Sequence, residues 1–132
     1  MVINLFKYET KLIDGKQYVK ACESSQIYDG KGVKIQFPED EDFQVAILRI
    51  EGKLYCMDNI CPHRHMDKIY DGIIKNHTVM CPAHGWTYNV KTGENMNKHQ
   101  GLKSLNVYDV FEKDGNVFIE KPDFEVPKWR RF

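Results

Sequence analysis

Six dipeptides ending in glycine, Asp14-Gly15, Asp29-Gly30, Glu51-Gly52, Asp71-Gly72, Thr92-Gly93 and Asp114-Gly115, cut this chain into short lengths. Such pairs suit tight reversals, because glycine enters the positive-φ region without the steric penalty that other residues meet. The stretches between them are rich in β-branched and aromatic residues. FQVAILRI (43–50) and KLYCM (53–57) flank Glu51-Gly52 and predict a hairpin with a two-residue turn. LNVYDVFEK (105–113) and NVFIE (116–120) flank Asp114-Gly115 and predict a second, although the alternation through Leu105, Val107, Asp109 and Phe111 is imperfect. INLFKYETKLIDGKQYVKA suggests a further hairpin at the N-terminus.

No segment carries the 3.6-residue apolar period of an amphipathic helix. Only ACESSQIYD (21–29) offers a short helical turn, with Ser24 or Ser25 as its cap. The expected fold class is therefore all-β, an antiparallel sandwich or barrel of about 8–10 short strands. At 132 residues the chain suits one domain, 1–132. Residues 57–97 are richer in Pro, His, Cys and Gly than either flank and read as an insertion in a base of about 1–56 and 98–121. The tail 122–132 holds two prolines and ends in Trp129, Arg130, Arg131 and Phe132, so it is no central strand.

Lys+Arg and Asp+Glu stand at 19 each, which leaves no net field to attract nucleic acid or an anionic membrane. No apolar run is long enough to span a bilayer, and the first residues lack the pattern of a signal peptide. The expected compartment is the cytoplasm, where the four cysteines stay reduced and serve as metal ligands or as buried small side chains.

Two cysteines stand beside histidines. Cys61 and His63 are one residue apart, Cys81 and His84 two apart, and seventeen positions separate His63 from Cys81. Thiolate with imidazole suits a soft or borderline metal. Zinc modules usually pair cysteine with cysteine and histidine with histidine, whereas here each pair is mixed, the pattern expected when one iron of a two-iron cluster takes the sulfurs and the other the nitrogens. A zinc-bound structural module on the same four residues remains the rival. Cys22 and Cys56 match no ligand position and read as core residues. His77 and His99 are isolated in sequence and read as structural or solvent-facing.

The stretch C-P-H-R-H from Cys61, with C-P-A-H-G-W from Cys81, resembles the Rieske iron-sulfur family, whose motif is Cys-x-His followed by Cys-x-x-His. Pro62, Arg64, Pro82, Gly85, Trp86, Tyr88 and the turn Lys91-Thr92-Gly93-Glu94 share in the likeness, which covers roughly residues 17–121. It implies a 2Fe-2S cluster held by Cys61 and Cys81 on one iron and His63 and His84 on the other, with Pro62, Arg64, His65, Pro82, Gly85, Trp86 and Tyr88 around it. Tyr88 keeps the place of a tyrosine that reaches a cysteine sulfur. His65 departs from the glycine that most relatives carry.

The respiratory branch of that family has an extra cysteine in each loop and a serine hydroxyl bonding a bridging sulfur. This chain has Met66, Ala83 and Trp86 at those places. Fewer donors to the cluster imply a potential at the low end of the Rieske range, roughly −150 mV to 0. The likeness is to the soluble ferredoxins of multicomponent oxygenases or to the small subunit of nitrite reductase. The implied role is a one-electron carrier between a flavin reductase and a terminal oxygenase or a reductase large subunit. Too few residues remain for a second, mononuclear iron site, so no catalysis by this chain alone is expected. The alternative is a small regulatory subunit of a larger oxidoreductase.

Overall fold

A computed structural model describes residues 1–61, 66–82, 85–97 and 103–123. Twelve strands lie among them: β1 (Val2–Asn4), β2 (Thr10–Ile13), β3 (Lys16–Glu23), β4 (Gly32–Gln36), β5 (Gln44–Ile50), β6 (Lys53–Asp58), β7 (Ile73–Lys75), β8 (Thr78–Met80), β9 (Thr87–Asn89), β10 (Val107–Tyr108), β11 (Val110–Lys113) and β12 (Asn116–Glu120). The first sheet runs β1-β4-β5-β6-β10, the second β11-β12-β3-β2 and the third β7-β8-β9. All pairings are antiparallel except β1 with β4. Among the described residues there is no α-helix, and no helix is long and apolar enough to cross a membrane.

The predicted hairpins form. Glu51-Gly52 joins β5 to β6 with φ of 51° and 81°, and Asp114-Gly115 joins β11 to β12 with 53° and 77°. Two successive positive φ values give the turn whose twist matches the strands it connects. Asn76 and His77 make the same turn between β7 and β8 without a glycine, at φ 49° and 61°. Gly72 is no such reversal. It ends a 3₁₀ turn, Ile69–Asp71, and a Cβ there would meet Val79 Cγ2 at 2.5 Å and the Met80 carbonyl oxygen at 2.7 Å, so close packing requires the glycine.

Three sequence expectations are corrected. LNVYDVFEK is not one strand but two, broken at Asp109: Val107 and Tyr108 pair with β6 in the first sheet, and Val110 onward pairs with β12 in the second. The imperfect alternation is the trace of that switch. The helical turn Ser24–Gln26 is capped by Glu23 rather than by Ser24 or Ser25, and Gln26 Oε1 accepts from the Glu23 N–H at 2.8 Å. The strand count exceeds eight to ten, because the switch at Asp109 and the N-terminal pieces β1 and β2 add strands of two to four residues.

Alternate residues of β5 and β6 feed two cores. Val45, Ile47, Leu54 and Cys56 join Ile35 and Phe37 on one face of the first sheet and meet Val19, Val117 and Ile119 of the second sheet in the first core. Ala46, Leu48, Ile50, Tyr55 and Met57 face the other way and meet Ile69, Val79, Tyr88, Val90 and Leu105 in the second core. Burial on both faces explains why 45–50 reads as a nearly continuous apolar run instead of an alternation. Chain corners close the sides. At one, Asp109 accepts from Lys16 Nζ (2.9 Å) and Tyr18 Oη (3.3 Å). At the other, Ile3, Leu5 and Tyr8 pack on the first core between β1 and β2, with Tyr8 edge-on to Phe37 at 5.5 Å.

Arg49 interrupts the apolar run and ties three segments together. Its guanidinium donates to the carbonyl oxygens of Ile27 (2.8 Å), Gly52 (3.0 Å) and Ser24 (3.2 Å), and to both carboxylate oxygens of Glu112 (2.9 and 3.1 Å). All five N–H groups are thus used. The Arg49 hydrogen bond holds the Glu112 carboxyl below its ordinary value. A lowered folded-state pKa means that this pair stabilises the fold above the ordinary carboxylate range and is lost as pH falls through the depressed value. Replacing Arg49 by Met should cost about 2–4 kcal/mol in denaturant unfolding. Glu112→Gln, which spares the three carbonyl bonds, should cost under about 1 kcal/mol.

Candidate metal centre

Two loops leave the second core and return to it with matching necks. The first departs after β6 at Cys61 and returns at Met66, where the Cys61 N–H donates to the Met66 carbonyl at 2.9 Å. The second departs after β8 at Cys81 and returns at Trp86, where the Cys81 N–H donates to the Trp86 carbonyl at 2.7 Å. Both closures join residues five positions apart. Pro82 opens the second turn, and the Gly85 N–H returns to the Cys81 carbonyl at 3.0 Å. Gly85 has φ +75° with only Met80 Sδ, at 3.9 Å, near a built Cβ, so backbone conformation rather than crowding calls for glycine there.

Cys61 and Cys81 are both fully buried in the second core. Tyr88, on the strand that follows the second loop, is fully buried too and sets its Oη 3.1 Å from Cys61 Sγ. Burial first, and the cysteine second, push the Tyr88 phenol above its ordinary value. It keeps its proton, so toward a thiolate it can only donate. A hydroxyl buried against an apolar thiol would find a poor acceptor, whereas a metal-bound thiolate is a good one. The donor set therefore fits a metal-sulfur group. Trp86 is half-buried and packs on the same core.

Pro62, His63, Arg64, His65 and His84 lie outside the described residues, as do Ala83, His99 and the tail from 124. The structure thus brings together Cys61, Cys81 and Tyr88 of the sequence-derived set. His77 occupies the β7–β8 turn, edge-on to Tyr55 at 6.0 Å. Cys22 and Cys56 belong to the first core, on the opposite side of the first sheet. Burial pushes the Cys22 thiol up to about 11 and raises that of Cys56 well above its ordinary value, which makes both poor nucleophiles. Asn59, which the sequence does not single out, is buried just before Cys61 and bonds across the neck of the first loop. The one signal it leaves is a buried polar side chain two residues before the cysteine.

The Rieske [2Fe-2S] domain model matches residues 17–109, more than two thirds of the chain. The ferredoxin component of the alkene monooxygenase system of Xanthobacter autotrophicus is 27% identical over 84 residues, 64% of this chain and 66% of that protein. A chain in the complex of reduced oxygenase and oxidised ferredoxin of carbazole 1,9a-dioxygenase superposes with a TM-score of 0.70 at 23% identity, over 79% of this chain and 93% of that one. The putative NADH-dependent nitrite reductase small subunit of Mycobacterium tuberculosis gives 0.71 at 18% identity, over 82% and 97%. The two structural likenesses show a shared fold. With the family match and the sulfur-facing core, they lead to one assignment: the chain belongs to the Rieske [2Fe-2S] domain family, whose cofactor is a Rieske-type 2Fe-2S cluster.

Proposed function

We propose that this chain is a one-electron carrier, with Cys61 and Cys81 as sulfur ligands and His63 and His84 as nitrogen ligands of its cluster. Two buried cysteines opening matched loops, with Tyr88 Oη set against Cys61 Sγ, carry this reading. The donor is a flavin reductase and the acceptor a terminal oxygenase. The alkene monooxygenase ferredoxin, matched over 66% of its length, supports that pairing over a nitrite reductase role, because the nitrite reductase of Emericella nidulans, 29% identical over 92 residues, is matched over only 8% of its length. The base, about 1–56 and 98–121, carries the two packed sheets, and 57–97 carries both loops as an insertion in one unit. The two unpaired core cysteines, Cys22 and Cys56, suit a reducing cytoplasm.

When bound, the cluster supplies reversible transfer of one electron. The chain's own groups set the equilibrium in opposite directions. The second core keeps water from both sulfurs, which penalises the more negative reduced state. Tyr88 offsets part of that by donating to Cys61 Sγ, a bond that strengthens as charge on sulfur grows. Met66 and Trp86 add no side-chain donor of the kind the respiratory branch uses.

Protein-film voltammetry should give a midpoint between roughly −150 mV and 0. A value of about +200 mV or above would contradict the donor count. Tyr88→Phe keeps the packing and removes the donor. If the lost bond favours the reduced state by about 0.5–1 kcal/mol, the midpoint should fall by roughly 20–45 mV. His63→Ser or His84→Ser should abolish the brown colour and the low-average-g EPR signal seen after dithionite. A normal cluster in either variant would remove that residue from the ligand set.

A further inference from the structure

The two loops are supported unequally. The second is the loop of a strand pair: β8 and β9 face each other across it, with Met80 opposite Thr87 at the neck. The first has no such ladder. It leaves β6 but returns through 66–68 into the 3₁₀ turn Ile69–Asp71, so no strand continues the pairing on the returning side. Something else must hold its neck.

Asn59 stands at that place and is fully buried. Its Nδ2 donates to the Asp67 carbonyl oxygen at 2.9 Å and to Gln44 Oε1 at 2.6 Å, and its Oδ1 accepts from the Tyr70 N–H at 2.8 Å. Its own carbonyl accepts from the Ile69 N–H at 3.3 Å. One residue just past the end of β6 thus makes three bonds to residues 67–70 on the return. The sense of the amide is dictated by its neighbours. Tyr70 offers a donor and Asp67 an acceptor, while Gln44 spends its Nε2 on the Glu41 carbonyl at 2.8 Å and presents Oε1 to Asn59. Gln44, the first residue of β5, is itself buried.

We infer that Asn59, oriented by Gln44, is the positioning residue of the first loop. It replaces the missing ladder, holds Cys61 in the second core against Tyr88, and so governs how firmly the sulfur-bound group is retained and how its electronic environment is set. The inference rests on the Rieske reading of the site. Groups that orient ligands from behind commonly contribute about 10–100-fold to metal affinity.

The test compares Asn59→Leu, Asn59→Asp and Gln44→Leu in the cluster-loaded protein. Leucine keeps the branched outline but strands the Tyr70 N–H, the Asp67 carbonyl and Gln44 Oε1. Aspartate keeps the acceptor for Tyr70 but sets a carboxylate oxygen against two acceptors. Both should release iron to a chelator about 10–100-fold faster and show shifted EPR g-values, with Gln44→Leu intermediate. Val117→Ala, in the first core, serves as the control: it should lower global stability without moving either readout. Iron release and g-values unchanged in Asn59→Leu would overturn the assignment. Should that variant fail to fold, Gln44→Leu decides by the same measurements, and wild-type behaviour overturns it. If no form, wild type included, takes up a cluster, it is the reading of the site that fails. Amide exchange at Tyr70 in the apoprotein then decides on Asn59: exchange faster in Gln44→Leu than in the Val117→Ala control supports it, and equal exchange overturns it.

Discussion

Strands β5 and β6 bury side chains on both faces, and the rest of the molecule is arranged by that demand. A sheet with one dry face alternates apolar and polar residues, but Val45 to Leu48 are all fully or nearly fully buried. Two layers must therefore cover the hairpin. The second sheet covers one face and the loop-bearing third sheet covers the other. Register matters doubly here, since a slip of one residue would exchange the contents of the two cores. It would also carry Cys61, three residues beyond the end of β6, out of the second core. The position of Cys61 is thus set by the hairpin that organises the fold.

Polar residues do the joining where apolar packing stops. Asp109 anchors the point at which the chain passes from the first sheet to the second, and Arg49 ties the base of β5 to the Ser24 turn, the Gly52 turn and β11. A further corner is made by residues 1–15, which precede the family match and supply β1 and β2 together with Ile3, Leu5 and Tyr8 against the first core. Those residues shield what would otherwise be open edges of β4 and β3, and unpaired edges invite intermolecular pairing.

At the centre, two loops of equal span use unequal means. Strand pairing secures the second loop, while a buried amide secures the first. Between them Tyr88 reaches from the strand after the second loop to the cysteine that opens the first, linking the two through one hydroxyl. A dry core around both sulfurs and one donor to Cys61 pull the redox equilibrium in opposite directions. Their balance is what sets the potential in the proposed carrier.

Much of this was legible in the chain. The glycine-ended turns foretold the hairpins, the Rieske-like motif foretold the family and its 2Fe-2S cofactor, and the mismatch of Cys22 and Cys56 with that motif foretold their place in the core. Local chemistry carries such signals, because turn conformation and ligand type depend on adjacent residues. What only the tertiary structure decided depends on residues far apart in the chain: the break at Asp109, the parallel pairing of β1 with β4, the packing that demands Gly72, and the role of Asn59. An asparagine next to Asp58 carries no signal until Asp67, Tyr70 and Gln44 are brought around it. Its partners are then fixed by which buried donors and acceptors remain unsatisfied, and no local pattern records those.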